Sequence, residues 1–130
     1  MITATLRNYR QSPRKARLVA RLLAGKKVSE ALITLEFVNK KATKAFATLL
    51  NSAIANAKHN GKISDVSDLV VKEARVDAGY VLKRRMPRAR GMAYPINKRT
   101  SHITLMLAPK AVKAVKGAKE KVAKAVKAKK

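Results

Sequence analysis

Residues 69–107 read LVVKEARVDAGYVLKRRMPRARGMAYPINKRTSHITLML. Both ends of this segment, 69–76 and 102–107, are rich in β-branched and alternating apolar residues, which is typical of strands. The roughly twenty residues between them have almost no apolar pattern suited to a core. We therefore predict two strands that continue past the core into a long projecting β-hairpin arm, closed by a loop around residues 87–95.

The two strand segments differ in how regularly they alternate. The predicted inward side chains are Val70, Ala74 and Val76 in the first segment, where Lys72 interrupts the pattern, and Ile103, Leu105 and Leu107 in the second. An arm of about twelve residues per side would extend roughly 40 Å at a rise of about 3.3 Å per residue. Because an isolated two-stranded ribbon is marginally stable in water, we expect the arm to be ordered by whatever it is inserted into.

The residues before this segment predict one more strand and three helices. The opening residues alternate apolar and polar, as in a half-buried strand, and the apolar ones that share a face are Ile2, Ala4 and Leu6. Ser12 and Pro13 suit the cap and the first position of a helix, and Gly25 suits its end. Ser29 is predicted to cap a second helix.

Val28 is expected to pack on Ile33 across that second cap as a hydrophobic staple, and the helix to end near Asn39. A third and longer helix is predicted from residue 42 to the pair Asn60-Gly61, because its apolar residues keep the i, i+3, i+4 spacing without interruption.

These elements predict an α+β fold, in which a three-stranded antiparallel sheet is packed with three helices and carries a long projecting β-hairpin and a basic C-terminal tail. We expect a single domain over residues 1–108, with the arm at about 78–104. The Lys/Ala-rich residues 109–130 are expected to be disordered unless they are bound to an anion.

The charge of the chain indicates its kind of partner. The chain has 31 Lys and Arg against 7 Asp and Glu in 130 residues, for a formal net charge of +24. Self-repulsion of that size is tolerated when a polyanion neutralises it, and nucleic acid is the usual polyanion, ahead of an anionic membrane. The sequence therefore predicts a nucleic-acid-binding protein.

Other classes of function find little support in the sequence. There is no cysteine for a disulfide or a thiolate metal site, and no apolar run approaches the roughly 18 residues that span a bilayer. The opening residues lack the pattern of a signal peptide. The acids form no spaced pair, and no glycine motif that cradles phosphate occurs. We expect a cytoplasmic protein that is no enzyme, needs no cofactor or metal, and does not bind membranes.

The first helix carries the first candidate contacts. Arg14, Arg17 and Arg21 fall within an arc of about 60°, whereas the apolar residues expected to point toward the core are Leu18, Val19, Leu22 and Leu23. No acidic residue lies before Glu30 to pair with these arginines, so phosphate contact is favoured over a solvated charged face. The residues that extend the same patch are Lys15, Lys26 and Lys27.

The third helix offers a weaker candidate surface on the side opposite its core face. Small amides and lysines there suit phosphate or 2′-hydroxyl groups, and the residues are Lys44, Asn51, Asn56 and Lys58. Plain surface polarity explains this pattern equally well. His59 is interpreted as part of the helix end rather than as a metal ligand.

The arm holds the clearest basic signal, and no acid lies between Asp77 and Glu120. Arginine offers a planar fork for phosphate and stacks on bases, so a narrow Arg-rich ribbon suits insertion between RNA helices. The candidate residues are Lys83, Arg84, Arg85, Arg88, Arg90, Lys98, Arg99, Thr100, Ser101 and His102, and the full predicted set also includes Arg7, Arg10 and Ser12. An architectural DNA-binding protein with a minor-groove arm is the alternative.

Three motifs resemble a known family. They are SPRKARLV at 12–19, NSA followed by ANA within 51–57, and LKRRMPRARG at 82–91 leading to KRTSHIT at 98–104. Together they closely resemble the family of bacterial ribosomal large-subunit protein twenty-two, over roughly residues 1–108. The chain differs from typical members at Tyr80, where those have proline, and at Met92, where they have a basic residue.

The resemblance implies a structural protein of the large ribosomal subunit that binds its 23S rRNA and aids early assembly, without forming a homo-oligomer. It also implies that the hairpin lines the nascent-polypeptide exit tunnel, near a constriction formed with ribosomal large-subunit protein four, where the tip affects macrolide sensitivity and stalling. The implied partners are rRNA, neighbouring ribosomal proteins and the nascent chain. The implied tip residues are Arg85, Met86, Pro87, Arg88, Ala89, Arg90, Gly91, Met92, Ala93 and Tyr94.

Overall fold

A computed structural model describes residues 2–60 and 69–109. Its elements are β1 (Ile2–Tyr9), α1 (Pro13–Leu23), α2 (Val28–Phe37), α3 (Ala42–His59), β2 (Leu69–Pro87) and β3 (Ala93–Pro109). The strands form one antiparallel sheet in the order β1-β3-β2. The predicted α+β fold, with a three-stranded antiparallel sheet and three helices, is confirmed. The predicted disorder of the tail concerns residues that lie, apart from Pro109, outside the described part of the chain.

The core lies between one face of the sheet and the helices, with α1 packed mainly on β2 and α3 on β1. The inward face of β3 is the one predicted: Ile103, Leu105 and Leu107 are all fully buried. Phe46 of α3 is also fully buried and is the largest side chain of this otherwise aliphatic core. Burial of each such side chain contributes about 1.5–3 kcal/mol.

The predicted bounds of α1 are confirmed. Ser12 occupies the cap position and Pro13 the first turn, although the Ser12 side chain makes no capping hydrogen bond. Gly25 follows the helix with a φ of +81°, the left-handed conformation in which glycine is favoured. The Gly25 N–H donates to the carbonyl of Val71 at 2.8 Å, so the end of α1 is tied to the edge of the sheet.

The predicted start of α2 is wrong. The helix begins at Val28 with Lys27 at the cap position, and it ends at Phe37 instead of near Asn39. Val28 is fully buried while Ile33 is 55% exposed, so no staple joins them. The cause is non-local. Lys27 forms a bridge with Val70 of β2 and is therefore extended, and the helix begins at the next residue.

The inward face of β2 was also predicted incorrectly at its start. Leu69 and Val71 are fully buried, whereas Val70 is only half-buried. A β-bulge between Val71 and Glu73 inserts one extra residue opposite β3, and this reverses the alternation. Val76 is consequently buried as predicted.

Two leucines of α1 do not point toward the core as predicted. Leu18 is 55% exposed and Leu22 is 43% exposed, while Val19 and Leu23 are buried. Alanines complete the inward face of α1 instead, because the helix lies close against the sheet and small side chains fit there.

The projecting arm is present, as a continuous extension of β2 and β3. Its pairs run from Val81 with Arg99 to Pro87 with Ala93, and no residue of 77–99 is buried. The connecting loop is shorter than predicted, at residues 88–92, because Pro95 is still paired in the ladder. From residue 78 to residue 87 the arm extends roughly 30 Å, less than the predicted length.

Candidate nucleic-acid interface

A basic cleft of about 520 Å³ lies where the loop after β1, the start of α1, the start of α3 and the base of the arm meet. Five cationic side chains line it: Arg10, Lys15, Lys41, Lys98 and Arg99. The other lining residues are Gln11, Ser12, Leu82, Asn97 and Thr100, so no carboxylate lines the cleft among the residues that the structure describes. This arrangement concentrates positive potential in a concave site, which suits a polyanion.

Two helix N-termini add to the potential of this cleft. α1 and α3 have no acidic residue in their first turns and no side-chain capping hydrogen bond. The helix dipole and the free N–H groups of a first turn favour an anion. Within the described residues, neither first turn supplies an acidic side chain of its own, so both helix ends favour an external anion.

The sequence predicted four of these five cations, Arg10, Lys15, Lys98 and Arg99, as separate candidates, and it missed Lys41. A sequence signal for Lys41 was available. Lys40 and Lys41 directly precede the third helix, and cations at a helix N-terminus are unfavourable unless an anion lies nearby. The hydroxyl of Tyr9 donates to the carbonyl of Lys41 at 3.3 Å and fixes this corner of the cleft. Burial raises the pKa of the Tyr9 hydroxyl above its usual 10.0, so the hydroxyl keeps its proton to a higher pH than a solvated tyrosine does.

The predicted basic residues of α1 are exposed at Arg14, Lys15 and Arg21. Arg17 is also on the outer side, but its Nε donates to the carbonyl of Val76 at 3.1 Å and ties α1 to β2. Lys26 is likewise engaged, since its Nζ donates to the Thr34 hydroxyl at 3.0 Å. Some of the basic side chains near α1 therefore hold the fold together, and the others are available to an external anion.

The candidate residues of α3 divide in the same way. Lys44, Asn51 and Lys58 are exposed. The amide of Asn56 donates to the carbonyl of Thr3 at 3.2 Å and joins α3 to β1. Asn56 thus has a structural role, and the remaining three residues are free to contact a partner. Arg7 and Lys27 are also exposed.

The structure places Thr100 and Ser101 in the interior, although both were predicted to contact rRNA. Thr100 is 2% exposed and Ser101 is fully buried. The Thr100 hydroxyl donates to the carbonyl of Tyr80 at 2.7 Å, opposite a second bulge that lies between Ala78 and Val81. Both side chains build the base of the arm. Ser101 is enclosed there, whereas Thr100, although nearly buried, still lies at the wall of the basic cleft.

His102 has a similar structural contact. Its Nδ1 accepts a hydrogen bond from the backbone N–H of Asn8 at 3.1 Å, where Asn8 has a φ of +58° and β1 departs from regular pairing. The Nδ1 atom is therefore occupied within the sheet, and only the Nε2 edge is left for another partner.

The arm presents its predicted cations to the outside. The exposed residues are Lys83, Arg84, Arg85, Arg88, Arg90, Lys98 and Arg99. At the tip the Arg88 guanidinium lies 5.9 Å from the centre of the Tyr94 ring, within reach of a cation–π contact. Arg90 and Gly91 have φ values of +58° and +69°, which turn the loop over.

Neither a metal site nor a membrane span is found in residues 2–60 and 69–109. No group of three or more potential metal-ligating side chains occurs there, and no helix in those ranges is long and apolar enough to cross a bilayer.

Comparison with known proteins agrees with the resemblance in the three motifs. The family model described as ribosomal protein L22p/L17e matches residues 4–108, which is most of the chain. The chain belongs to the L22p/L17e family of ribosomal proteins. Membership in L22p/L17e confirms the predicted family, which consists of structural proteins and not enzymes.

Individual L22p/L17e relatives are similar over nearly their whole length. A protein named large ribosomal subunit protein uL22 from Herpetosiphon aurantiacus is 55% identical over 104 residues, which covers 80% of this chain and 91% of the relative. Proteins with the same name from Lactobacillus helveticus and Macrococcus caseolyticus are each 50% identical, over 107 and 110 residues. These two alignments cover 82% and 85% of this chain and 91% and 88% of the relatives. Of the two predicted functions, the ribosomal one is therefore favoured over an architectural DNA-binding role.

Proposed function

We propose that this structural constituent of the large ribosomal subunit binds large-subunit rRNA through the basic cleft and the arm, in the cytoplasmic ribosome. The cleft is the observation that supports this most strongly. Five cations from four separate segments converge there, and within residues 2–60 and 69–109 no carboxylate joins them. The self-repulsion of such a cluster destabilises the free protein, and RNA phosphates offset it.

The arm extends this interface beyond the folded body. It buries no side chain of its own between residues 77 and 99, so its order depends on its surroundings. Arginines on both sides of a ribbon about two strands wide can contact phosphates of different RNA helices at once. Such contacts join separate parts of the rRNA and thereby aid early assembly of the subunit.

The tip of the arm has a different role in this proposal. It lines the nascent-polypeptide exit tunnel near large-subunit protein four, and it contacts the growing chain. In support, every residue of the tip is exposed, and the tip combines cations with apolar side chains such as Met92 and Tyr94, which are 62% and 57% exposed. A surface that faces a passing peptide requires no deep pocket, and the tip has only an open depression beside Arg88 and Tyr94.

The cleft is tested by comparing two adjacent lysines. Lys41→Ala removes a cation that lines the cleft, whereas Lys40→Ala removes the same charge from a residue outside its lining. We expect Lys41→Ala to weaken binding to a large-subunit rRNA fragment and to lower the slope of log K against log salt by roughly 0.7–0.9, because about one phosphate contact is lost. Filter binding at several salt concentrations measures both quantities.

Lys40→Ala controls for the change in net charge and is expected to alter the slope much less. If the two variants lose the same affinity and slope, the cations act only through total charge, and the cleft is not the binding site.

The role of the tip is tested by deleting residues 86–92. We expect rRNA affinity to remain within about threefold, since most phosphate contacts lie elsewhere, while passage of nascent chains or sensitivity to macrolides changes. Translation of a stalling peptide by ribosomes that contain the variant measures the second effect. Loss of all rRNA affinity in this deletion would contradict the division of roles between the cleft and the tip.

A further inference from the structure

The outer face of α2 differs chemically from the rest of the described surface. α2 contains Glu30 and Glu36 and no Lys or Arg, whereas α1 and α3 contain no acidic residue at all. Of the other acids in the described ranges, Asp77 forms an ion pair with Arg75 at 3.0 Å. In a chain of formal charge +24, α2 therefore presents a patch with two carboxylates and no cation of its own. Lys26, which donates to the Thr34 hydroxyl, borders this patch, and Lys40 and Lys44 line the same depression as Glu36.

This patch has an apolar centre. Phe37 is 84% exposed and Ile33 is 55% exposed, and these two residues are one helical turn apart. At 100° per residue the outward arc has Glu36 at one edge and Glu30 at the other, with Ile33 and Phe37 between them. An exposed aromatic and a branched aliphatic side chain framed by carboxylates resemble the centre and rim of a protein interface.

The exposed apolar residues of α1 provide a contrast. Leu18 and Leu22 lie on the same side as Arg14 and Arg21, so RNA can approach that face. Carboxylates beside Ile33 and Phe37 repel phosphate, and the two apolar side chains offer RNA no hydrogen bonds. The same chemistry favours a cationic polypeptide.

We propose that the outer face of α2 binds a Lys/Arg-rich segment of another protein. An apolar side chain of that segment packs on Phe37 and Ile33, and its cations lie beside Glu30 and Glu36. Burial of the two exposed side chains supplies most of the affinity, and the carboxylates set the orientation and exclude RNA. This inference does not depend on the rRNA contacts proposed above.

Photocrosslinking in assembled large subunits tests the surface directly. A benzoylphenylalanine replaces Phe37 in one sample and Leu18 in a matched control, and mass spectrometry identifies the adducts. We expect position 37 to link to a Lys/Arg-rich segment of a different protein, and position 18 to link to rRNA. The control tests the RNA interface, so the two proposals can fail separately.

Three results at position 37 would overturn the inference: an adduct with rRNA, an adduct within this chain or with a second copy of it, and no adduct above the irradiated background. The second of these includes a link to residues 110–130, which are also basic.

Charge reversal supplies a second measurement. Glu36→Lys in the crosslinking protein is expected to lower the yield at position 37 several-fold, because it repels the cations of the bound segment. Glu73→Lys makes the same charge change at an exposed residue of β2 and is expected to leave the yield unchanged. Equal yields in the two variants would show that the bound segment is not recognised by its charge.

Discussion

Single residues determine how the arm joins the body. At Gly79 an added Cβ atom would lie 2.5 Å from Thr100 Oγ1 and 3.1 Å from His102 Nε2. The absence of a side chain here allows Thr100 to reach across the bulge and donate to the Tyr80 carbonyl. This contact explains why Thr100 is buried although its neighbour Arg99 is exposed.

Gly79→Ala is therefore expected to lower the free energy of unfolding by roughly 1–3 kcal/mol, because the new methyl group displaces the Thr100 side chain. Urea denaturation of the full chain measures the loss. In a Thr100→Ala background the same substitution should cost at least about 0.5 kcal/mol less, since the obstructing hydroxyl is gone. Equal costs in both backgrounds would mean that the contact with Thr100 is not the cause.

The ends of α1 were the most predictable features at this scale, whereas Ser29 was wrongly predicted to cap α2. Pro13 and Gly25 act locally, through their allowed φ values, and Ser12 occupies the cap position, so the predicted positions of all three at the ends of α1 were correct. The fates of Thr100 and Ser101 were not predictable from local sequence. Their polarity suggested surface, but their position opposite a bulge buried them.

Among the strands, too, local sequence predicted some features correctly and others not. The regular alternation of β3 predicted its inward face correctly, whereas β2 has two bulges that reset its alternation. The first bulge lies at Lys72, where the sequence pattern was interrupted. Which face follows such an interruption depends on pairing with β3, and the sequence of β2 alone does not determine it.

At the scale of elements we predict a gradient of stability along β2 and β3. Pairs near Ala74 and Val76 cover the core, while pairs from Lys83 to Pro87 lie in the exposed arm. Amide hydrogens of the arm should exchange at least about tenfold faster than those near the core in the free protein, because local opening of a two-stranded ribbon costs less free energy.

Hydrogen-exchange mass spectrometry measures this gradient, and addition of a large-subunit rRNA fragment should slow exchange in the arm more than in the core strands. Slow exchange of the arm in the free protein would show that the ribbon is stable alone. The inference that its partner orders it would then be wrong.

Across the whole molecule, charge is distributed unevenly among surfaces. Cations converge on the cleft and extend along the arm, while α2 has two carboxylates and no cation. Repulsion within the cleft and the arm disfavours the free state, and neutralisation by phosphate favours the bound state. This uneven distribution is the basis for proposing different partners for the cleft and for α2.

We predict that the chain sediments with the large ribosomal subunit and is retained through a wash at high salt. Phosphate contacts alone weaken steeply with salt. A cleft that encloses RNA, an arm inserted between RNA helices and a protein contact at α2 contribute binding free energy that depends less on salt. Gradient sedimentation at moderate and high salt, followed by immunoblotting, measures retention. Release at high salt into free or DNA-bound fractions would contradict the ribosomal role.

The sequence by itself determined the features that arise from local patterns or from composition. These are the three helices, the existence of the arm, the inward face of β3 and the need for a polyanionic partner. Each depends on periodicity, capping or summed charge. The cleft, the exposure of Leu18 and Phe37, the start of α2 and the burial of Thr100 came from the tertiary structure alone. They depend on contacts between segments far apart in the chain, such as the bridge of Lys27 with Val70, and local patterns do not encode which segments meet.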